Sequence, residues 1–141
     1  MVPDPGAWDN GTHTFEFAFR PHDPGDLACA VALGEWWNRP PVTVVKTDVA
    51  GVPAPERSFL GGLPESVRVA SLRRQASGVI VRLYETLGRK VSFAPVTGDG
   101  AFRWEETDLE EREFRPVSAA KLVFRPFEIR TFRLLTGPLG R

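Results

Sequence analysis

Residues 121–135 read KLVFRPFEIRTFRLL, the most distinctive stretch in the chain. Leu122 and Phe124 fall two apart and share a face, the spacing of a β-strand. Pro126 has no N–H to give a ladder, so it belongs at a bulge or a sheet edge. Beyond it the phase shifts and Phe127, Ile129 and Thr131 fall together. Phe132 and Leu134 then break the alternation again. The stretch reads as a buried strand interrupted at Pro126, either covered on both faces or carrying a second bulge. It holds no histidine, no nucleophile and no metal-ligand spacing. Its constraint is therefore close packing, which punishes volume changes on every buried face.

Strand signals recur upstream. Residues 13–21, HTFEFAFRP, alternate: Phe15, Phe17 and Phe19 on one face, Thr14, Glu16, Ala18 and Arg20 on the other. That pattern predicts a half-buried strand. The turn cluster HDPGD (22–26) leads into DLACAVALGEWWN (26–38), the best helix candidate. Asp26 is its expected N-cap, Ala30, Leu33 and Trp37 form one side, and Pro40-Pro41 stops it. VTVVK (42–46) reads as a short β-branched strand, and SFLGGL adds another around 58–60. Residues 65–75 and 78–86 predict a hairpin whose Gly78 can take a positive φ. In its second arm Val79, Val81 and Leu83 point one way and Ile80, Arg82 and Tyr84 the other. Residues 90–95 and 101–109 are two further strands around Thr97-Gly98-Asp99-Gly100, and LEEREF (109–114) is a charged loop. About eight or nine short strands with one short helix predict an all-β fold, an antiparallel β-sandwich. The expected division is a lead-in over 1–11, a sandwich over 12–136 and a tail over 137–141.

The chain has 141 residues, enough for one domain with its own core. Eighteen basic and eighteen acidic residues give zero net charge, unlike the basic excess of a nucleic-acid binder. No apolar run approaches the roughly 20 residues that span a bilayer. The first residues, MVPDPGAWDNG, do not read as a signal peptide. The single cysteine, Cys29, forms no internal disulfide, which predicts a reducing, cytoplasmic setting. Met1 precedes a stretch that reads like the middle of something, which predicts an excised domain.

The search for chemistry returns little. His22, Asp23 and Asp26 could ligate a metal only with further nitrogen or sulfur ligands, and they read instead as a strand end, a turn and a cap. Cys29 reads as a small hydrophobe within the helix. Glu105, Glu106, Asp108, Glu110, Glu111 and Glu113 read as an acidic exposed edge rather than the facing carboxylates of a glycosidase cleft. None of the serines lies in a G-x-S-x-G elbow, and Gly61-Gly62 opens no phosphate cradle. Trp8, Trp36, Trp37, Trp104 and Tyr84 could stack on a sugar, or could pack in a core or interface. The expectation is no catalytic residue and no metal site. The site candidates are Trp36, Trp37, Asn38 and His22, for carbohydrate binding or a domain interface.

Six segments in order resemble the C-terminal domain of glycoside hydrolase family 38, the α-mannosidases. They are VPDPGAWDNGTHTFEFAFRPH (2–22), GDL (25–27) with WWNRP (36–40), SFLGGLPESVRVASLRR (58–74), GVIVRLYETLGRKVSF (78–93), WEETDLEE (104–111) and FRPFEIRTFRL (124–134). Phe19 and the heavy Trp36-Trp37 pair depart mildly from the family pattern. The resemblance implies a zinc-dependent, retaining parent enzyme that cleaves terminal α-linked mannose. It also implies that the zinc ligands and the nucleophile lie in an N-terminal domain not contained here, so this chain holds no cofactor of its own. The implied partner is the catalytic domain of the same polypeptide. Two competing expectations are a free-standing module that binds a mannose-containing glycan through exposed tryptophans, and an oligomerisation domain.

Overall fold

The computed structural model describes residues 11–43, 58–98 and 102–136. Among them are one helix, α1 (Leu27–Asn38), and nine strands. These are β1 (Leu60–Gly61), β2 (Val67–Gln75), β3 (Gly78–Glu85), β4 (Val91–Phe93), β5 (Val96–Thr97), β6 (Phe102–Thr107), β7 (Phe114–Val117), β8 (Leu122–Phe124) and β9 (Ile129–Thr136). Five form an antiparallel sheet in the order β2-β3-β9-β6-β7, and two ribbons, β1-β5 and β4-β8, complete the strands. The fold is the expected β-sandwich with one helix.

Residues 121–135 do not form one interrupted strand. Leu122–Phe124 belongs to the ribbon paired with Val91–Phe93, and Ile129–Thr136 is the central strand of the large sheet. The chain crosses between layers through Arg125-Pro126-Phe127-Glu128, with Phe127 in the left-handed region at φ 58°. The two phase changes now have one cause. Leu122 and Phe124 from one layer face Phe132 and Leu134 from the other, and all four are fully buried. Phe124 stacks on Phe93 at 5.7 Å and meets Phe132 at 6.4 Å, while Trp104 lies edge-on to Phe132 at 5.5 Å. Val67, Val81 and Leu83 finish the cluster.

The hairpin forms as its alternation predicts, closing Gln75 against Gly78. Gly78 has φ 149°, and a Cβ there would overlap the Leu134 carbonyl. Between Val69 and Ser71 the register shifts by a bulge, which keeps Val69 and Leu72 on one face, opposite Leu83 and Val81. Phe114–Val117 pairs with Trp104–Thr107, so the charged loop ends at Glu113 and a strand begins there.

Residues 13–21 are not a strand: among the described residues no strand lies beside them. Phe15, Phe17 and Phe19 are 82%, 86% and 87% exposed. Alternation selects a face but provides no neighbour to cover it. Val42 and Thr43 are likewise outside any strand; the remainder of the 42–46 prediction, with Asp99–Ala101 and the ends 1–10 and 137–141, lies outside the described residues.

Candidate functional surface

The helix begins where Asp26 predicts. Its carboxylate accepts the Cys29 N–H at 3.2 Å, and its own N–H donates to the Asp23 carbonyl at 2.9 Å, closing the preceding turn. Asn38 Nδ2 donates to the Gly34 carbonyl at 2.7 Å. The helix meets the sandwich at the β2 edge: Arg39 donates to the Val69 carbonyl at 3.2 Å and Glu35 lies 3.6 Å from Arg68. Ala28 is its buried residue, while Leu27, Trp36 and Trp37 remain substantially exposed.

The structure brings three of the four site candidates together. His22, Trp37 and Asn38 line a concavity of about 390 Å³ with Arg20, Phe19 and Leu33. That volume lies within the range of small-ligand clefts. Trp36 turns elsewhere, into a hollow of about 580 Å³ against Leu63, Pro64 and Arg68. Tyr84 borders a third hollow with Asn38 and Arg39. Trp104 is buried in the core, and Trp8 lies outside the described residues. The five aromatics therefore do not make one platform.

His22 Nδ1 lies 2.8 Å from the Asp23 carbonyl oxygen, and Asp26 is committed to its cap. Among the described residues no three histidine, cysteine or acidic side chains converge as a metal would require. The described residues do not form a zinc centre. Partial burial, then the Asp26 carboxylate, push the Cys29 thiol above its ordinary value, the reverse of nucleophile activation. No described helix is long and apolar enough to cross a membrane.

The acidic group is not a uniformly solvated edge. Glu105 and Glu106 point to opposite faces of β6, as strand geometry dictates, and each meets an arginine of β9. Glu106 grips the Arg130 guanidinium through two bonds of 2.6 Å, and Glu105 accepts from Arg133 Nε at 2.9 Å. Glu111 pairs with Arg73 and lies 3.8 Å from Arg82. Asp108, Glu110 and Glu113 are the exposed members. Carboxylates so neutralised are poor candidates for acid–base work.

The side chain missed by motif reasoning is Glu85, 2% exposed at the end of β3. It accepts the Leu87 N–H at 3.0 Å through Oε1 and the Phe127 N–H at 3.0 Å through Oε2. Burial pushes its carboxyl up; the Phe127, Leu87, Arg89 and Gly88 N–H groups outweigh that and hold it below the usual glutamate value. One carboxylate thus ties the loop after β3 to the crossing between layers. The signal was available, because Glu85 is in phase with Val81 and Leu83 on the core side.

Residues 66–132 match the family model described as glycosyl hydrolases family 38 C-terminal beta sandwich domain. The family resemblance is shown over that span. The family 38 match begins beside β2 and ends within β9, so it takes in seven of the eight buried core residues, Leu134 being the exception. It leaves out α1, residues 11–43 and β1. No curated protein and no solved structure matches the chain.

Proposed function

We propose that this chain is a non-catalytic C-terminal structural domain of a zinc-dependent, retaining α-mannosidase, whose catalytic portion lies in a separate part of the parent protein. The observation that carries the reading is the family 38 match over residues 66–132, which coincides with the two-layer core. The described acids, occupied by arginines and backbone N–H groups, support a structural role. On this reading zinc belongs to the catalytic portion, in a cytoplasmic enzyme, and the exposed helix side with Leu27, Trp36 and Trp37 is where that portion docks. The test is hydrolysis of an aryl α-mannoside by the purified chain, with and without added zinc. No turnover is expected. Zinc-dependent turnover from this chain alone would overturn the proposal.

The concavity of His22, Trp37 and Asn38 favours a second reading, a site for a mannose-containing glycan. An indole face beside polar donors is a common way to hold a sugar ring. Titration with mannobiose, followed by tryptophan fluorescence, separates the two. Saturable binding lost in Trp37→Ala and retained in Trp36→Ala would support the glycan site, since only Trp37 lines that concavity.

A further inference from the structure

The concavity at Trp37 carries a charge that its neighbour lacks. Its helical wall is a single stripe, Ala30, Leu33, Gly34, Trp37 and Asn38, at the spacing of one face of α1. Arg20 and His22, from the segment before the helix, stand on the other wall, and no carboxylate lines the hollow. The hollow beside Trp36, by contrast, sets Glu35 and Glu65 against Arg39 and Arg68, so its charges cancel.

The polar groups of the concavity are placed to receive a ligand. Arg20 is exposed, and among the described residues no acid lies within 4.0 Å of its guanidinium. Asp23 and Asp26 belong to the same turn but do not line the hollow, and Asp26 is spent on the helix cap. His22 Nδ1 lies 2.8 Å from the Asp23 carbonyl oxygen, which can only accept, so that nitrogen carries the proton. Nε2 then offers a lone pair to a hydroxyl, or a second N–H to an anion when the ring is charged. Asn38 spends Nδ2 on the Gly34 carbonyl and keeps its side-chain oxygen as an acceptor. A Cβ on Gly34 would meet no atom within 4 Å, so the space beside Trp37 is open.

A cationic hollow with an indole wall selects an anion attached to a ring. We infer that this concavity takes a hexose bearing an anionic group, a carboxylate or a phosphate, with the ring against Trp37 and the anion on Arg20. The inference rests on the glycan reading of the same concavity and adds the charge of the sugar. The whole chain is titrated with mannose, mannuronate, α-mannosyl phosphate and inorganic phosphate, followed by tryptophan fluorescence, at about 20 mM and about 500 mM salt. Both anionic sugars should bind about fivefold more tightly than mannose at low salt, and high salt should close the margin. Inorganic phosphate should bind at least about tenfold more weakly than α-mannosyl phosphate, because it offers nothing to Trp37. Arg20→Gln should bring the anionic sugars down to the affinity of mannose, and Arg20→Lys should keep part of the margin. Position 20 is exposed, so both variants should keep the wild-type circular dichroism. Mannose binding with no preference for either anionic sugar, or a preference unaltered in Arg20→Gln, would overturn this inference and leave the glycan reading standing. Failure of all three sugars to bind would overturn both.

Discussion

Glutamine at position 85 should destabilise the domain by about 3 kcal/mol at pH 7. The wild-type carboxylate is buried and accepts the Leu87 and Phe127 N–H groups, one at each oxygen. A hydrogen bond to a charged group contributes roughly 1.5–3 kcal/mol, and a buried donor left without a partner adds a desolvation cost of about 1–3 kcal/mol. An amide keeps one accepting oxygen and turns its NH2 toward an N–H, so about one such bond is lost and one donor orphaned. The Phe127 backbone adds pressure of its own, because φ 58° costs a non-glycine residue roughly 1–2 kcal/mol that its tether helps to offset. The pH dependence has a definite sign. Glu85 has its carboxyl held below the usual value, so its contribution is complete above the unfolded value of about 4.3 and is lost as pH falls through the lower folded value. Glu128 is also held low, but it is common to both proteins and cancels in their difference. Urea unfolding followed by far-ultraviolet circular dichroism, for wild type and Glu85→Gln from pH 7 to pH 3, measures the gap. It should be about 3 kcal/mol at pH 7 and should shrink below about pH 4, where the protonated acid resembles the amide. A gap under about 0.5 kcal/mol at pH 7, or one unchanged at pH 3, would refute the tether.

Three further outcomes follow from the packing. Gly78→Ala should cost about 2–4 kcal/mol, since the new Cβ would overlap the Leu134 carbonyl and separate β3 from β9; chemical denaturation checks it. Phe124→Ala should cost about 3–5 kcal/mol, because it empties the contact between layers, and a fall under about 1.5 kcal/mol would mean the layers collapse onto the gap. The Glu106–Arg130 pair should show a coupling near 1 kcal/mol in a cycle of Glu106→Gln and Arg130→Met: the bond geometry is bidentate, but Glu106 is about a third exposed and water screens it.

What the sequence disclosed depended on whether a residue's setting is local. The β2–β3 hairpin and the α1 cap are written in neighbouring residues, and both formed as read. Phase also placed charged groups: Arg130 is in step with Phe132 and Leu134, and it duly covers the Phe124 and Phe132 rings at 5.3 and 5.0 Å. The Glu106 bonds, set against burial, raise its pKa. Strand β7 was hidden because Arg115, Pro116 and the preceding acids read as loop. Pro116 is tolerated because β7 is the sheet's edge and needs a ladder on one side only. The reading of 121–135 failed for a different reason. Periodicity reports which side chains are covered, and here both halves are covered by each other. Nothing local distinguishes a strand buried twice from two strands meeting across a core.

The outer face of the five-stranded sheet bears on where partners can dock. Ile80 is 1% exposed there, between its cross-strand neighbours Arg73 and Arg133. Arg133 lies on the Phe114 ring at 3.5 Å and binds Glu105, while Arg82 donates to Thr131 and to the Leu109 carbonyl. The loop before β7 folds over this side, with Glu111 at φ 59° pairing with Arg73. Arginine stems thus do the covering that a further layer would do, and their heads are already matched to acids and carbonyls. A partner settling on this face would have to break those pairs and desolvate the charges, which opposes binding by several kcal/mol. The segment 13–21 and the α1 surface carry the largest exposed aromatic groups and require no such sacrifice. The matched sandwich thus closes its outer face with its own arginine pairs, whereas Leu27, Trp36 and Trp37, outside the family 38 match, stay exposed.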